Sequence, residues 1–424
     1  MTWGGVSLRF AGGLTCAHLN RWTDGRLQIL ECENMTQFPQ HDLKYYFETA
    51  HELAERVAAQ ADQIDEERQI PPELAGEIAD KGFFRLLLPE SLGGAQLGHT
   101  DFLKIVEIFA ALDGSMGWCI NQNNVHATNG LRMPLKTAEE IYAEYRAVVT
   151  NGPPTASVKA VPCDGGYRLS GRWDFSSGFT HATWIAALAP IVPEGQEREA
   201  FFNRQGAIIL LMPKKDVTFV DFWPVHGLRG TASFSFEVDD MFVPESRTYD
   251  PTSQPREAGP VYAIPTTLLF ASGFSTTALG IAKSSLKTAM DLAVIKIPGR
   301  ATRLLQDETT TQRIIGEAEA IWHSAKAFLR EAHASVWESA QSKEPLTIEQ
   351  RVKLRLACTF GIRKANDVVR MAYELCGSNA ILQTNPVQRQ FQDISVASQH
   401  IQGRATHFET AGQFYMGMEP EGNF

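Results

Sequence analysis

The chain has 424 residues, of which 44% are hydrophobic and 21% charged, an ordinary balance for a soluble globular protein with two or three domains and a large core. A net charge of −10 without a long basic cluster argues against nucleic acid or an anionic membrane as a partner. No apolar run reaches the ~20 residues that cross a bilayer, and the start lacks the order of a signal peptide, so a cytoplasmic protein is expected.

Residues 1–36 are rich in glycine and short polar turns without periodicity and read as a leader or disordered arm. From Tyr45 to about Tyr145 the pattern is helical. The run from His51 to Ala61 spaces its apolar groups at three and four, Pro71-Pro72-Glu73 opens another helix, and Gly82 and Gly93-Gly94 are natural stops. Between roughly 150 and 245 the period changes to two. Ala182 to Val192, Ala207 to Met212 and Phe234 to Asp239 are short strands of an antiparallel β module.

Within that module Gly165-Gly166 suits a tight hairpin turn, and Tyr167, Leu169, Trp173 and Phe175 place bulky groups on alternate faces of an extended chain. Ser176 and Ser177 then interrupt the pattern before Gly178. Two hydroxyls at a strand end, flanked by aromatics, suit a flat heteroaromatic ligand, and an ordinary polar turn is the competing reading. After Ile264, helical segments at about 264–296, 307–342, 347–376 and 386–416 predict an antiparallel four-helix bundle. The six cysteines form no Cys-x-x-Cys pair and are expected to be reduced and buried.

This order, with several local sequences, resembles the acyl-CoA dehydrogenase superfamily from about residue 45 onward. Pro72-Glu-Leu, Lys81-Gly82-Phe83 and Leu88 to Gly94 look like its N-terminal domain. Gly227 to Ser233 and Phe236 to Glu245 look like its exit from the β domain, and Glu374 to Ala380 with Pro386, Arg389 and Asp393 like its bundle. The resemblance implies an α fold with a central β domain. Its parts are an N-terminal helical domain (37–148), an antiparallel β-barrel domain (149–255) and a C-terminal four-helix bundle (256–424), with flavin held between barrel and bundle in a homotetramer.

An acyl-CoA dehydrogenase needs a carboxylate beside the flavin to abstract a weakly acidic proton. The family's common position for it, counted from Asp393, falls on Ile401, which cannot act as a base. His400 beside it, Gly117 to His126, and Gly171-Arg-Trp-Asp-Phe-Ser-Ser-Gly178 together look like the oxygenase components of two-component flavin monooxygenases. That resemblance implies Trp118 packed on the flavin, Ser176 or Ser177 near its N5, His126 and His400 flanking C4a, and Asn151 among the cofactor contacts. Arg300, like Arg303, resembles an arginine that meets flavin phosphates. Glu374, Asn379 and Arg389 are the candidates for contact with a neighbouring subunit's flavin, and Gly377 is a further cofactor-binding candidate.

The implied reaction uses reduced flavin (FMNH2 or FADH2) and O2, through a C4a-hydroperoxyflavin, to hydroxylate an aromatic and in the first instance phenolic substrate. A serine can hold N5–H, and histidines can relay protons. Neither a Gly-x-Gly-x-x-Gly before a helix nor a Walker loop is present, so reduced flavin is expected from a separate NAD(P)H-dependent reductase. The competing readings are packing for Trp118, hydrogen-bonded histidines for His126 and His400, a structural place for His181, a solvated helix start for Arg300 and Arg303, and caps for Glu374, Asn379 and Arg389. At the level of function the alternatives are a dehydrogenase with a displaced base, oxidation at nitrogen or sulfur, and a non-catalytic helical assembly protein.

Overall fold

The computed structural model describes residues 41–196 and 206–422, with residues 21–23, 26–28, 39 and 424. Residues 1–38 form a unit separate from residues 39–424. Of the expected leader only the antiparallel strands β1 (Arg21–Thr23) and β2 (Arg26–Gln28) are described, and the rest of it lies outside the described residues.

The helical N-terminal part starts where the side chain of Asp42 accepts a hydrogen bond from the Tyr45 amide, capping α1 (Leu43–Ala59). After α2 (Ala61–Glu67), Pro72 occupies the first turn of α3 (Pro72–Asp80), where a missing donor costs nothing. Next come α4 (His99–Ala110) and α5 (Gly114–Ala127), the latter capped by Asp113, whose side chain accepts from the Met116 amide at 2.7 Å. Every residue of α5 is buried, including the run Asn121-Gln122-Asn123-Asn124. Asn124 is consumed structurally, accepting from the Leu86 amide at 2.7 Å and donating to the carbonyls of Phe83 and Ile120. Helix α6 (Leu135–Tyr142) leads into the β module.

That module corrects the barrel expectation. Strands β3 (Val149–Thr150), β4 (Lys159–Cys163), β5 (Gly166–Ser176), β6 (Trp184–Pro190), β7 (Ala207–Pro213), β8 (Thr218–Val220), β9 (Phe234–Pro244) and β10 (Thr248–Tyr249) form two separate four-stranded sheets, ordered β10-β7-β6-β3 and β4-β5-β9-β8. Neither closes. Strands β3, β8 and β10 at three of the four edges have two or three residues each, too short to carry a ladder round a ring, and among the described residues a single bridge, Ala160 to Ile191, joins the sheets. Nor is the pairing wholly antiparallel, since β3 runs parallel to β6. Val158, Leu169, Trp173, Ile185, Leu210 and Phe236 make one core of this module.

Two local details of β5 bear on the site. In the hairpin before it only Gly165 has positive φ (+76°). Gly166 is already in the strand, where an added Cβ would sit 2.2 Å from the Val243 carbonyl. Between Trp173 and Ser176 the register with β9 shifts, Phe175 adopts φ +57°, and the residue is 52% exposed although Leu169 and Trp173 are buried. The bulge therefore ends the alternation and re-aims the two serines.

The C-terminal part holds α7 (Pro260–Ala263), α8 (Thr266–Ala293), α9 (Thr309–Gln341) and α10 (Ile348–Cys376), which opens with a Thr347/Gln350 capping box. The expected fourth helix is two, α11 (Pro386–Ala397) and α12 (Thr406–Tyr415), separated by a single 3₁₀ turn at Ile401–Gly403. One continuous core joins N-terminal helices and bundle through Phe83, Phe109, Ile120, Phe274, Leu279 and Ile362. Helices α5 and α8 cross so closely that a Cβ on Gly273 would overlap the Asn121 side chain. Cys119, Cys358 and Cys376 are buried as expected, whereas Cys163 is exposed. Among the described residues no helix is long and apolar enough to cross a membrane.

Candidate functional site

The crossing of α5 and α8, the end of β5 and the turn after α11 meet around Trp118. Its ring stacks on Phe274 with centroids 3.9 Å apart, and Phe274 is followed along α8 by Phe270 at 5.9 Å, one helical turn away. His400 meets this column edge-on, 5.0 Å from Trp118 and 4.7 Å from Phe274. His126 meets its other end, 5.1 Å from Phe270. The two histidines thus flank one aromatic wall from opposite ends.

Both imidazoles are neutral at pH 7. Burial pushes His126 down to about 4, with a hydrogen bond to Asn151 opposing the shift. Burial, then the charges of Arg404 and Arg355, lower His400 to about 4. Nδ1 of His400 accepts the Gln402 amide N–H at 3.4 Å, which leaves its proton on Nε2. Gln402 is itself held by Arg355 of α10. At the other end the Gln122 carboxamide lies 3.2 Å from His126 Nε2 and donates to Asn151 Oδ1 at 3.2 Å, tying the candidate Asn151 to the histidine.

The two serines have different surroundings. Ser177 accepts from Trp118 Nε1 at 3.1 Å and lies 2.7 Å from Ser233 Oγ, and its carbonyl accepts from Thr150 Oγ1. Ser176 is fully buried and its Oγ has no partner among the described residues. Gly152 lies so close that a Cβ there would fall 2.6 Å from Ser176 Oγ. A buried hydroxyl with no partner costs about 1–3 kcal/mol unless a ligand meets it. Asn123 Nδ2, on the adjacent helix, is likewise unpartnered. A planar group with hydrogen-bonding atoms on its edge, stacked against aromatic rings, fits this donor set.

His181 stacks on Phe84 at 4.9 Å and lies 3.0 Å from Asn123 Oδ1, a packed position beside the serine loop. The remaining candidates are elsewhere. Glu374 and Gly377 are exposed at the end of α10, roughly 28 Å along that helix from Arg355 at its 1.5 Å rise per residue. Asn379 follows in a 3₁₀ turn, and Arg300 is exposed in the loop after α8, which Lys296 fastens to the Cys376 carbonyl at 2.8 Å. Arg303 is engaged with Glu308 at 2.7 Å and Arg389 with Asp62 at 2.8 Å. Phe270, Phe274, Gln122, Thr231 and Ser233 join the site through the fold rather than through a sequence motif of their own. The i, i+4 spacings of Gln122 with His126 and of Phe270 with Phe274 are the signals that mark three of them.

Family models for the acyl-CoA dehydrogenase N-terminal domain and C-terminal domain match residues 41–133 and 272–404, together more than half of the chain. The chain therefore belongs to the acyl-CoA dehydrogenase fold family. Within it, the chain is a relative of the oxygenase components of two-component flavin-dependent aromatic monooxygenases. It is 27% identical to indole-3-acetate monooxygenase of Pseudomonas putida over 86% of this chain and 92% of that one. It is also 27% identical to the oxygenase component of an FADH2-dependent resorcinol hydroxylase of Rhizobium sp., over 88% and 94%. In fold it matches XiaF from Streptomyces sp., solved in complex with FADH2 and glycerol, with a TM-score of 0.81, 21% identity, and coverage of 90% of this chain and 98% of that one.

Proposed function

We propose that the protein is the oxygenase component of a two-component monooxygenase that uses reduced flavin and dioxygen to hydroxylate a small aromatic substrate, a phenol in the first instance. The observation that carries this reading is the wall of Trp118, Phe274 and Phe270, closed at each end by a neutral buried histidine, beside the unpartnered hydroxyl of Ser176.

Reduced flavin, when bound, supplies the electrons that activate dioxygen for transfer of one oxygen atom to the ring. Trp118, Phe270 and Phe274 exclude water and support the planar groups. Ser176 is the serine free to accept the flavin N5–H without removing its proton, since the hydroxyl of Ser177 is already engaged. His126, neutral and oriented by Gln122 and Asn151, takes the phenolic proton and makes the ring carbon more nucleophilic. His400 donates from Nε2 to oxygen as negative charge develops there.

The two-component assignment brings with it a separate NAD(P)H-dependent reductase. Arg300, Glu374, Gly377 and Asn379 would serve a flavin bound mainly by another subunit of a homotetramer. The exposure of Ile295 (74%), Ile297, Ile381 and Leu382 around them supports an interface at that end of the bundle. In the proposed division, residues 37–148 and 256–424 supply the aromatic wall and the histidines, and residues 149–255 supply the serines. The test supplies FMNH2 or FADH2 from a reductase with NADH, in air, to panels of phenols and indoles and separately to thioether and amine substrates. Hydroxylated aromatic product supports the reading. Product only from sulfur or nitrogen substrates, or only flavin bleaching by an acyl-CoA, overturns it.

A further inference from the structure

Asp393, on α11, is fully surrounded by protein and belongs to none of the steps above. Its Oδ1 accepts the Leu228 amide N–H at 2.6 Å. Its Oδ2 abuts the start of α5, where a Cβ on Gly114 would lie 3.1 Å away. Gly227 permits this approach, because a Cβ there would fall 2.1 Å from the Gln392 carbonyl. Leu228 itself has φ +49°, a conformation that costs about 1–2 kcal/mol for a non-glycine residue and persists only when its surroundings fix it.

From Leu228 a chain of hydroxyls leads to Trp118, and donor accounting fixes its direction. The Leu228 carbonyl can only accept, so Thr231 spends its single hydroxyl proton on it at 2.7 Å. In its 2.7 Å contact with Ser233, Thr231 must then accept. Ser233, its proton spent on Thr231, must accept from Ser177, also at 2.7 Å. Ser177 in turn accepts from the Trp118 indole N–H at 3.1 Å. Each member is buried. All four donors point the same way, from the indole towards Leu228.

We infer that Asp393 is a positioning residue for Trp118, acting on the start of the helix that carries the indole and, through Leu228, Thr231, Ser233 and Ser177, on the indole N–H itself. This deepens the reading of Trp118 as a wall of the flavin site and rests on it. Titration near neutrality supports the link: burial, then the nearby Asp113 carboxylate, push Asp393 up to about 7. The other charged groups facing it are Arg389 on its own helix and Asp65 on α2, with Arg229 of the turn paired to Asp65. His400 and His126 are both already neutral well below that pH.

The test follows the Trp118 indole N–H resonance in the full chain without flavin, assigned by its loss in Trp118→Phe, together with the Kd of FMNH2 and FADH2. In the wild type the resonance should shift with a midpoint near pH 7. In Asp393→Asn, which keeps the acceptor, it should persist but no longer titrate. Thr231→Val should displace or broaden it and weaken reduced-flavin binding about tenfold, the scale of one hydrogen-bonded contact, and Thr231→Ser should restore both. If Thr231→Val fails to fold, Ser233→Ala makes the same break by removing a single oxygen. A Trp118 resonance unmoved by breaking the chain, or insensitive to pH in the wild type, overturns the inference even where wild-type flavin binding is intact. A wild type that binds neither flavin overturns the functional reading instead, while the resonance still reports on Asp393.

Discussion

Two regions of the molecule carry candidate site residues, and they differ in what a single chain can do with them. Around Trp118, side chains from α5, β5, α8 and the turn after α11 converge within hydrogen-bonding and ring-stacking distance and are buried. At the far end of the bundle Arg300, Glu374 and Gly377 are exposed, with apolar neighbours facing outward. The first region is assembled within one chain, whereas the second, on the proposed reading, would act against another subunit's surface. On that reading a chemical centre and its cofactor anchor are written into one chain without meeting in it.

The sharpest way to break the comparison is at the histidines. His126→Ala and His400→Ala should each lower product formation by about 10²–10⁴-fold, the usual worth of a positioned acid or base, with the reductase unaffected. If both variants leave product formation unchanged, the assigned roles are wrong. Next in size, Ser176→Ala should weaken reduced-flavin binding about tenfold. Ser177→Ala should act through Trp118, changing the indole environment as well as affinity. Equal effects of the two variants on the indole signal would contradict the distinction between them.

At the far end, Glu374→Ala and Asn379→Ala should lower flavin affinity only under conditions where the chain is assembled, so that dilution abolishes the difference from wild type. A loss that persists in the monomer would place these residues beside the chain's own flavin. The smallest effect concerns pH. Burial holds His126 and His400 near 4, so their contribution to stability is present above about pH 6.5 and is lost as the pH falls towards 4. Asp393, raised to about 7, acts in the opposite sense, and its contribution is lost as the pH rises from about 4 towards 7. Thermal melts of Asp393→Asn should show a gentler decline across that upper window than the wild type, while His126 and His400 leave turnover flat between pH 6 and 8.

Much of this was legible in the sequence because it depends on local rules. Helix α3 announces itself by Pro71-Pro72, and the change to period two locates the β module. The motif around Ser176 and Ser177 located the polar corner, though not which serine was free. That choice is made by the bulge at Phe175 and by contacts from Trp118 and Ser233, which are remote in sequence. Closure of the β module is not legible for a similar reason. Strand pattern gives the number of strands, but whether edges meet depends on lengths as short as two residues in β3 and β10. Phe270 and Phe274 are not legible as site residues, because an apolar pair at i, i+4 on a long helix reads equally as core until the helix it crosses is known.

The most direct measurement is to mix the protein anaerobically with FMNH2 or FADH2, add oxygenated buffer, and follow the return of oxidised-flavin absorbance and the yield of hydrogen peroxide. The account predicts a return much slower than for free reduced flavin, with peroxide falling and hydroxylated product rising when a phenol is present. Reoxidation at the rate of free flavin, together with tight binding of oxidised flavin that bleaches with an acyl-CoA, would contradict it.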